Sequence, residues 1–174
     1  RLKDAIADYF KEKTGQRPDV SVKSPDILLS LYIRNDKAVI SLDTSGGALH
    51  RRGYREETVS APMQETIAAA IIQFSGWDGV APLYDPLCGS GTLLCEALMR
   101  YSHVPAGIFR QRFGFESLPD FDRPVWLQVK KETEAQIREL PKKLIAGSDV
   151  SIEAVRAART NLMGIHYGNR VTIE

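Results

Sequence analysis

Residues 83–94 read Leu83-Tyr84-Asp85-Pro86-Leu87-Cys88-Gly89-Ser90-Gly91-Thr92-Leu93-Leu94, and this stretch decides the fold. It predicts a short buried strand from Val80 to Tyr84, a glycine-containing turn, and a helix that continues through Glu96 to Met99. Such a turn places backbone N–H groups and the positive end of a helix at the carboxyl edge of the strand, where open α/β sheets bind ligands. Because Gly89 and Gly91 carry no Cβ, a ligand can lie against the main chain there.

Four interpretations of this glycine turn compete. A P-loop requires Lys followed by Ser or Thr after its last glycine, and Thr92-Leu93 follows Gly91 instead. A dinucleotide fingerprint requires a third small residue where Leu94 stands, so it fits weakly. The S-adenosylmethionine (SAM) loop of Rossmann-like methyltransferases has an acid at the end of the first strand and a glycine-rich turn, which Asp85, Gly89 and Gly91 match. An ordinary β–α turn stays open as the alternative without a ligand.

Residues 1–45 predict a helix and a hairpin. The helix runs from Arg1 to Thr14 and stops at Gly15, and Gln16 to Val22 is predicted as a loop and a strand. Ile27 to Arg34 and Lys37 to Asp43 are then predicted to pair through an Asn35-Asp36 turn. The positions expected to point inward are Ile27, Leu29, Leu31, Ile33, Ala38, Ile40 and Leu42.

The middle of the chain predicts a linker, a helix and an irregular insertion. Thr44 to Gly47 has the composition of a linker. Ser60 is expected to cap a helix that has Pro62 in its first turn and ends at Gly76. The insertion runs from Tyr101 to Pro141, with a helix predicted over Glu132 to Leu140. The expected core stripe of the first helix is Met63, Ile67, Ala70, Ile71 and Phe74. The aromatic residues of the insertion are Phe109, Phe113, Phe115, Phe121 and Trp126; we expect them to anchor it to the core, with stacking on bases as the alternative.

The C-terminal stretch predicts a second strand, a helix and a third strand. Lys143 to Gly147 forms the strand, Ser151 opens the helix, which closes at Gly164, and Val171 to Ile173 begins the next strand. Asp149 directly follows the second strand, where an acid accepts hydrogen bonds from ribose hydroxyls in dinucleotide-binding folds. A carboxylate that merely caps the helix is the alternative.

Charge and cysteine content limit the function classes. The net charge is +1, but no acid occurs from Thr44 to Arg55 or between Glu96 and Glu116, and both stretches contain arginines. Such local basic segments suit a polyanion, although solvated loops explain either one equally well. The two cysteines form no CxxC pair, which argues against a metal site and fits a reducing, cytoplasmic environment. No apolar run approaches the length of a membrane span.

Three blocks resemble one family of enzymes. The stretch from Asp85 to Ala97 resembles the cofactor loop of bacterial THUMP-containing, SAM-dependent RNA methyltransferases, closest to those that methylate guanine N2 of large-subunit ribosomal RNA. The stretch from Leu49 to Thr66 is similar to the family's segment that leads into the catalytic domain. Ala146 to Asn161 is similar to its second strand and helix. The likeness covers nearly the whole chain.

The resemblance implies an α/β fold: a partial Rossmann-like (class I) methyltransferase domain preceded by the C-terminal part of an α+β THUMP domain. We expect the THUMP part at 1–45, a linker and basic segment at 46–60, and the cofactor half of the methyltransferase domain at 61–174. SAM would be the cofactor and ribosomal RNA the substrate, with Arg51, Arg52 and Arg55 contacting the RNA. The implied cofactor contacts are Ser60, Ala61, Pro62, Asp85, Pro86, Cys88, Gly89, Ser90, Gly91, Thr92 and Asp149.

One catalytic element of the family is missing from the sequence. Related enzymes hold the amine acceptor with an Asn/Asp-Pro-Pro-Tyr loop, and no Pro-Pro pair occurs here. We therefore expect this chain to be a middle piece of a longer enzyme, inactive alone and prone to self-association through bare strand edges. The alternatives are a DNA adenine-N6 methylase, a non-catalytic RNA-binding fragment and a nicotinamide oxidoreductase, which Leu94 disfavours.

Overall fold

The computed structural model describes residues 1–21 and 25–174 and shows a mixed α/β protein with two separate sheets. The predicted α/β class with a parallel sheet is confirmed. The helices and strands are α1 (Leu2–Thr14), β1 (Leu28–Arg34), β2 (Lys37–Asp43), α2 (Glu65–Phe74), β3 (Leu83–Asp85), α3 (Thr92–Tyr101), α4 (Arg123–Glu134), β4 (Ile145–Gly147), α5 (Ile152–Met163) and β5 (Thr172–Ile173). Residues 16–21 form no strand, and Val22, the last residue of that prediction, lies outside the described residues.

The predicted hairpin is confirmed in its strands and its turn. Strands β1 and β2 pair antiparallel, and Arg34 lies opposite Lys37. Asn35 and Asp36 both have positive φ, 46° and 58°. This is the two-residue turn whose twist matches the twist of paired strands, and Asn and Asp tolerate it better than most residues.

The predicted inward face of the hairpin is wrong as a statement about burial. Leu29 lies opposite Leu42 and Leu31 opposite Ile40, so these apolar side chains share one face. Every residue of β1 is nevertheless exposed, and Ile33 retains 66% of its accessible surface. In the described chain no element packs over either face of the hairpin closely enough to bury it. The alternation therefore identified the strands correctly without identifying a covered face.

The parallel sheet carries the core of the protein. Its strand order is β3-β4-β5, with Tyr84 opposite Ala146 and Gly147 opposite Ile173. Helix α3 is almost entirely buried, and Leu94, Cys95 and Leu98 have no measurable exposure. The strand–turn–helix prediction is confirmed, although the strand begins at Leu83 rather than Val80.

Helix α2 differs from its prediction in both its start and its buried face. It begins at Glu65, so Ser60 does not cap it: Gln64, the residue before the helix, is extended with φ of -70° and ψ of 140°, and the Met63 carbonyl accepts a hydrogen bond from Arg55. The buried residues are Glu65, Ala68 and Ile72. Packing through alanine lets α2 approach α3 closely, and the predicted stripe faces outward instead: Met63, Ile67, Ile71 and Phe74 are exposed and Ala70 is half-buried.

The insertion also departs from its prediction. The helix predicted over Glu132 to Leu140 is wrong for most of that range, because α4 spans Arg123–Glu134 and residues 135–140 are not helical. The start of α4 follows from Asp122, which accepts a hydrogen bond from the Val125 N–H, and from Pro124 in the first turn. Phe109 packs against the core as expected. The other four aromatic residues form a separate ring cluster with centroid distances of 5.0–6.0 Å: Phe113, Phe115, Phe121 and Trp126.

The predicted linker is held in place by this insertion. The Arg110 guanidinium donates hydrogen bonds to the carbonyls of Ser45 and Ala48 at 3.0 and 3.1 Å. The Phe115 N–H donates to the Thr44 carbonyl at 2.9 Å. A Cβ on Gly46 would lie 2.8 Å from the main chain of the insertion, so the two segments touch through their backbones. The glycines here serve close packing as well as chain reversal.

Candidate cofactor-binding site

The turn after β3 is braced from the neighbouring strand. The Asp85 carbonyl accepts the Ser148 N–H at 2.9 Å, and the Cys88 N–H donates to the Ser148 carbonyl at 3.0 Å. The Asp85 carboxylate accepts the Leu87 N–H within the turn itself. Asp85 therefore shapes the turn, and the glycines that follow lie at the carboxyl edge of the sheet.

Asp149 connects this turn to α5. One carboxylate oxygen accepts the Gly89 N–H and the other accepts the Ser151 N–H, both at 2.9 Å. These bonds, with Ser151 contributing most, hold the pKa of Asp149 below its ordinary value. Each carboxylate oxygen has a second acceptor site, so the ionised group retains capacity for ligand hydroxyls. The helix cap itself is Ser151, which accepts from the Ala154 N–H, so capping is not the role of Asp149.

Asn161 fastens the segment before α2 to the glycine turn. It lies on the buried side of α5 with 1% exposure. Its Oδ1 accepts the N–H groups of Glu56 and Glu57, and its Nδ2 donates to the carbonyls of Glu57 and Ser90 at 2.8 and 3.0 Å. All four hydrogen-bonding positions of the amide are thereby filled. The sequence signal for this role is an amide on the alanine-rich side of α5.

A cleft of about 680 Å³ opens between these elements. It brings together three predicted cofactor residues, Ser60, Gly89 and Asp149. Space for a Cβ on Gly89 is open, with the nearest atom 3.9 Å away on Val59. The other lining residues are Glu57, Thr58, Val59, Ser151, Glu153, Ala154, Arg156 and Ala157.

The remaining predicted cofactor residues stand behind or beside this cleft. Cys88, Ser90, Gly91 and Thr92 are buried. Asp85 supports the turn, and the exposed residues Ala61, Pro62 and Pro86 lie outside the lining. Burial, reinforced by the carboxylates of Asp85 and Asp149, raises the pKa of the Cys88 thiol to about 11, so the thiol is protonated near neutral pH.

The packing of the glycine turn explains how Leu94 is tolerated. A Cβ on Gly147 of β4 would lie 2.6 Å from the Leu94 side chain, so the strand contributes the small residue that the helix lacks. Gly91, with φ of 78°, would place a Cβ 3.0 Å from Ala158 of α5. Close contact is thus achieved with a different distribution of small residues from that of the dinucleotide fingerprint.

Two arginines of the predicted RNA-contacting segment are engaged inside the protein. Arg52 pairs with Glu96 at 3.3 Å, and Arg55 pairs with Glu65 at 3.2 Å. Arg55 also donates to the Thr92 hydroxyl at the start of α3. These guanidiniums join the segment to α2 and α3. Arg51 is exposed.

The Glu96 carboxyl makes the stability of this packing depend on pH. It is 5% exposed and accepts hydrogen bonds from Arg52 and the Tyr54 hydroxyl. Burial raises the pKa of Glu96, although Arg52 and Tyr54 act in the opposite direction. Because the folded-state pKa is above the unfolded one, the stability linked to the bound proton is present in acid and is lost as pH rises through the folded pKa.

We expect the free energy of unfolding of the wild type to fall, relative to that of Glu96→Gln, as pH increases from about 4. Urea denaturation of both proteins at a series of pH values measures the difference. Carboxylates whose pKa is lowered, such as Asp149, also make stability depend on pH. Their contribution cancels in the comparison, because both proteins contain them. If the difference in unfolding free energy between the two proteins stayed constant across the pH series, the pKa of Glu96 would not be raised in the folded protein.

The described residues contain neither a membrane-spanning helix nor a cluster of metal ligands. None of the described helices is long and apolar enough to cross a membrane. Within residues 1–21 and 25–174, no three side chains among His, Cys, Asp and Glu converge as a metal site would require.

Comparison with known proteins places the chain. A family model for the RMKL-like methyltransferase domain matches residues 52–174, and a THUMP domain model matches residues 1–43. The chain is 43% identical over 164 residues to ribosomal RNA large subunit methyltransferase K/L of Vibrio campbellii. That alignment covers 92% of this chain and 23% of the relative. A Photobacterium profundum protein of the same name is 43% identical over 144 residues, which are 83% of this chain and 20% of that protein.

Solved structures agree with the sequence relatives. SMU.472, described as a methyltransferase and solved in complex with SAH, has a TM-score of 0.84 and 32% identity, covering 99% of this chain and 45% of that one. A Listeria monocytogenes protein described as a predicted N6-adenine-specific DNA methylase has a TM-score of 0.83 and 31% identity, with the same coverage. The chain thus spans less than half the length of these relatives and structures. Because one family model matches most of its length, the chain belongs to the RMKL-like methyltransferase domain family, and its residues 1–43 match a THUMP domain.

Proposed function

We propose that this chain binds SAM in the cleft beside Gly89 and is the cofactor half of an RNA methyltransferase. The observation that supports this most is the approach of Asp149, at the end of β4, to the Gly89 turn at the end of β3. The volume of the cleft is about 680 Å³. This size falls within the usual range for pockets that hold small molecules. The relative solved with SAH carries the same fold over 99% of this chain.

The residues of the cleft fit an adenosine-containing cofactor. Asp149, ionised near neutral pH, would accept hydrogen bonds from both ribose hydroxyls. Gly89 would leave room for the ligand against the main chain, and by the family resemblance Ser60, Ala61 and Pro62 would lie near the methionine end. When bound, SAM supplies an electrophilic methyl group on a sulfonium. The contribution of this chain is to bind and orient that group.

The substrate we propose is large-subunit ribosomal RNA, with guanine N2 as the acceptor. The relatives from Vibrio campbellii and Photobacterium profundum are named for large-subunit ribosomal RNA, and the THUMP match is consistent with RNA binding. The sequence has no Pro-Pro pair, so we propose that residues beyond this sequence hold the acceptor amine. The chain alone should then bind SAM without transferring a methyl group. A DNA adenine-N6 methylase is the second candidate, favoured by the description of the Listeria monocytogenes structure.

Binding and transfer are tested separately. Titration calorimetry of the chain with SAM and with NAD should show heat only with SAM, and NAD binding in place of SAM would overturn the cofactor assignment. Labelled SAM with unmodified ribosomal RNA or with adenine-containing DNA should give no labelled product from this chain. A longer protein that includes the acceptor loop should label guanine in RNA. Labelled guanine from this chain alone would show that the catalytic centre lies within it.

Variants of an exposed arginine and of a paired arginine separate RNA contact from a role in folding. We expect Arg51→Ala to weaken RNA binding and to reduce the slope of log affinity against log salt by about 0.7–0.9, the value for one phosphate contact. Arg52→Ala should instead destabilise the fold by about 1–2 kcal/mol, because Glu96 would lose its charged partner. Salt-dependent RNA binding and urea denaturation of both variants measure this. Equal salt slopes for Arg51→Ala and the wild type would remove the RNA role from this segment.

We also propose that the isolated chain self-associates. Tyr84 of β3 is 58% exposed, and both faces of the hairpin are uncovered in the described chain. Exposed apolar surface of this kind favours association. Sedimentation that shows a monomer at all concentrations would contradict this proposal.

A further inference from the structure

A second cleft lies at the other end of the parallel sheet. Its volume is about 360 Å³, and it is bounded by the segment before β3, the end of α3 and the stretch before β4. Its lining residues are Trp77, Asp78, Arg100, Tyr101, His103 and Arg138. The glycine turn precedes the first residue of α3, and this cleft lies at the last residues of the same helix. The rise of the helix therefore separates the two places by about 15 Å.

Arg138 is fixed in this cleft with part of its guanidinium free. Its main-chain N–H donates to the Ser102 carbonyl at 2.9 Å, and its Nε donates to the Tyr101 carbonyl at 2.7 Å. The guanidinium carbon lies 4.3 Å from the centre of the Tyr101 ring. Arg138 is exposed, and within residues 1–21 and 25–174 its two terminal nitrogens make no hydrogen bond, whereas those of Arg55 and Arg110 bond to protein oxygens.

The charge of the cleft is unbalanced. Arg100 makes a hydrogen bond to the uncharged Gln73, and among the described residues no carboxylate lies within 4 Å of the nitrogens of Arg100, His103 or Arg138. Asp78 accepts the Val80 N–H in a local turn. A basic residue at the end of α3 complements the helix dipole, which accounts for Arg100. It does not account for Arg138, which comes from a different segment 37 positions after Tyr101.

A glycine leaves room for the Tyr101 ring of the cleft. A Cβ on Gly79 would lie 2.4 Å from the Tyr101 ring, so only a residue without a side chain allows that ring its position. The Trp77 ring lies 6.2 Å from it. Planar guanidiniums and aromatic rings are the surfaces on which unpaired bases stack, while free guanidinium N–H groups bind phosphates.

We propose that this cleft binds a single-stranded segment of the RNA substrate. The terminal nitrogens of Arg138 and Arg100 contact phosphates, and the Arg138–Tyr101 stack and Trp77 offer faces to a base. Because the cleft is about 15 Å from the glycine turn, the nucleotide held here is not the one that accepts the methyl group. The cleft positions the RNA. The inference rests on the proposed RNA substrate but not on SAM binding.

The test compares two double variants of the chain that remove the same charge. Arg100→Gln/Arg138→Gln removes the cleft cations, and Arg123→Gln/Lys131→Gln removes two exposed cations from α4. The probe is a fluorescein-labelled single-stranded RNA of about twelve nucleotides, titrated at several salt concentrations. We expect the cleft variant to lose affinity at least about fivefold and its salt slope to fall by about 0.7–1.4, the value for one or two phosphates on a single strand. The control variant should change much less.

Base stacking is tested separately, by the fluorescence of Trp77. The chain contains two tryptophans, so Trp126→Phe leaves Trp77 as the sole indole. Its fluorescence should be quenched by the RNA, and that quenching should disappear when Arg100 and Arg138 are also replaced. Equal losses in the two double variants, an unquenched Trp77, no RNA binding by the wild type, or tighter binding of the matching DNA would each overturn the proposal. SAM titration of the same proteins tests the proposed function independently, because neither double variant alters the cofactor cleft.

Discussion

Replacing Asn161 by alanine is expected to lower the free energy of unfolding by about 2–4 kcal/mol and to weaken the binding of SAM. The side chain satisfies the N–H groups of Glu56 and Glu57 and the carbonyls of Glu57 and Ser90. Without it, the buried Ser90 carbonyl and three part-buried main-chain groups lose their partners. A buried group left without a partner costs about 1–3 kcal/mol, and less where water can enter. The wall of the cofactor cleft would also lose its attachment to the glycine turn. Urea denaturation and SAM titration calorimetry measure the two effects.

Met163→Ala is the matched control for this prediction. Met163 lies on the same helix, just beyond Asn161, and is 67% exposed. Its loss should change neither stability nor SAM affinity beyond a few tenths of a kcal/mol. If Asn161→Ala were as stable as Met163→Ala and bound SAM equally well, the hydrogen bonds of Asn161 would not organise the cleft.

Replacing Asp149 by alanine should reduce the affinity for SAM at least about tenfold, because hydrogen bonds to a charged acceptor are among the strongest available to a ligand. The carboxylate also accepts the N–H groups of Gly89 and Ser151, so part of the loss would come from the turn itself. Two cofactor analogues separate these contributions. The wild type should bind SAH more tightly than its 2′-deoxy analogue, and Asp149→Ala should bind the two alike.

The exposed acid Asp120, in the insertion, provides the control. Asp120→Ala should keep both the affinity for SAM and the preference for the 2′-hydroxyl. Circular dichroism and urea denaturation establish that Asp149→Ala remains folded. A folded Asp149→Ala that still prefers SAH over the 2′-deoxy analogue would show that another group contacts the ribose.

Elements with local signals could be predicted from the sequence. The hairpin turn follows from Asn35 and Asp36, which adopt the required positive φ. Helix α5 follows from its Ser151 cap, and α1 from Gly15, which ends it in a left-handed conformation. The position of Asp149 beside the glycine turn follows from parallel strands that end at one edge. Each of these inferences needs only neighbours in the sequence or one topological rule.

Features that depend on partners far along the chain could not be predicted in the same way. The apolar stripe of α2 predicts a core-facing surface, but the face that packs is the one with Glu65, whose carboxylate pairs with Arg55. The charge pattern near residue 51 predicts an RNA-contacting segment as a unit, although Arg52 pairs with a carboxylate 44 positions away. A charge pattern indicates that a residue needs a counter-charge. Whether the protein or a ligand provides that counter-charge depends on the fold.

The contact between Leu94 and Gly147 joins two positions that lie far apart in the sequence. Gly147 is the small residue that lets strand and helix approach each other, and the whole insertion separates it in sequence from the glycine turn. A fingerprint made of neighbouring residues therefore does not include it. Gly147→Ala alone should be poorly tolerated, because its Cβ would lie 2.6 Å from the Leu94 side chain. Combined with Leu94→Ala, the same change should recover only part of the lost stability, because the new Cβ would still lie 3.0 Å from the Asp85 carbonyl oxygen and 3.2 Å from the Cys88 Cβ. The size of the residue at one of these positions thus limits the size allowed at the other, although they lie far apart in the sequence.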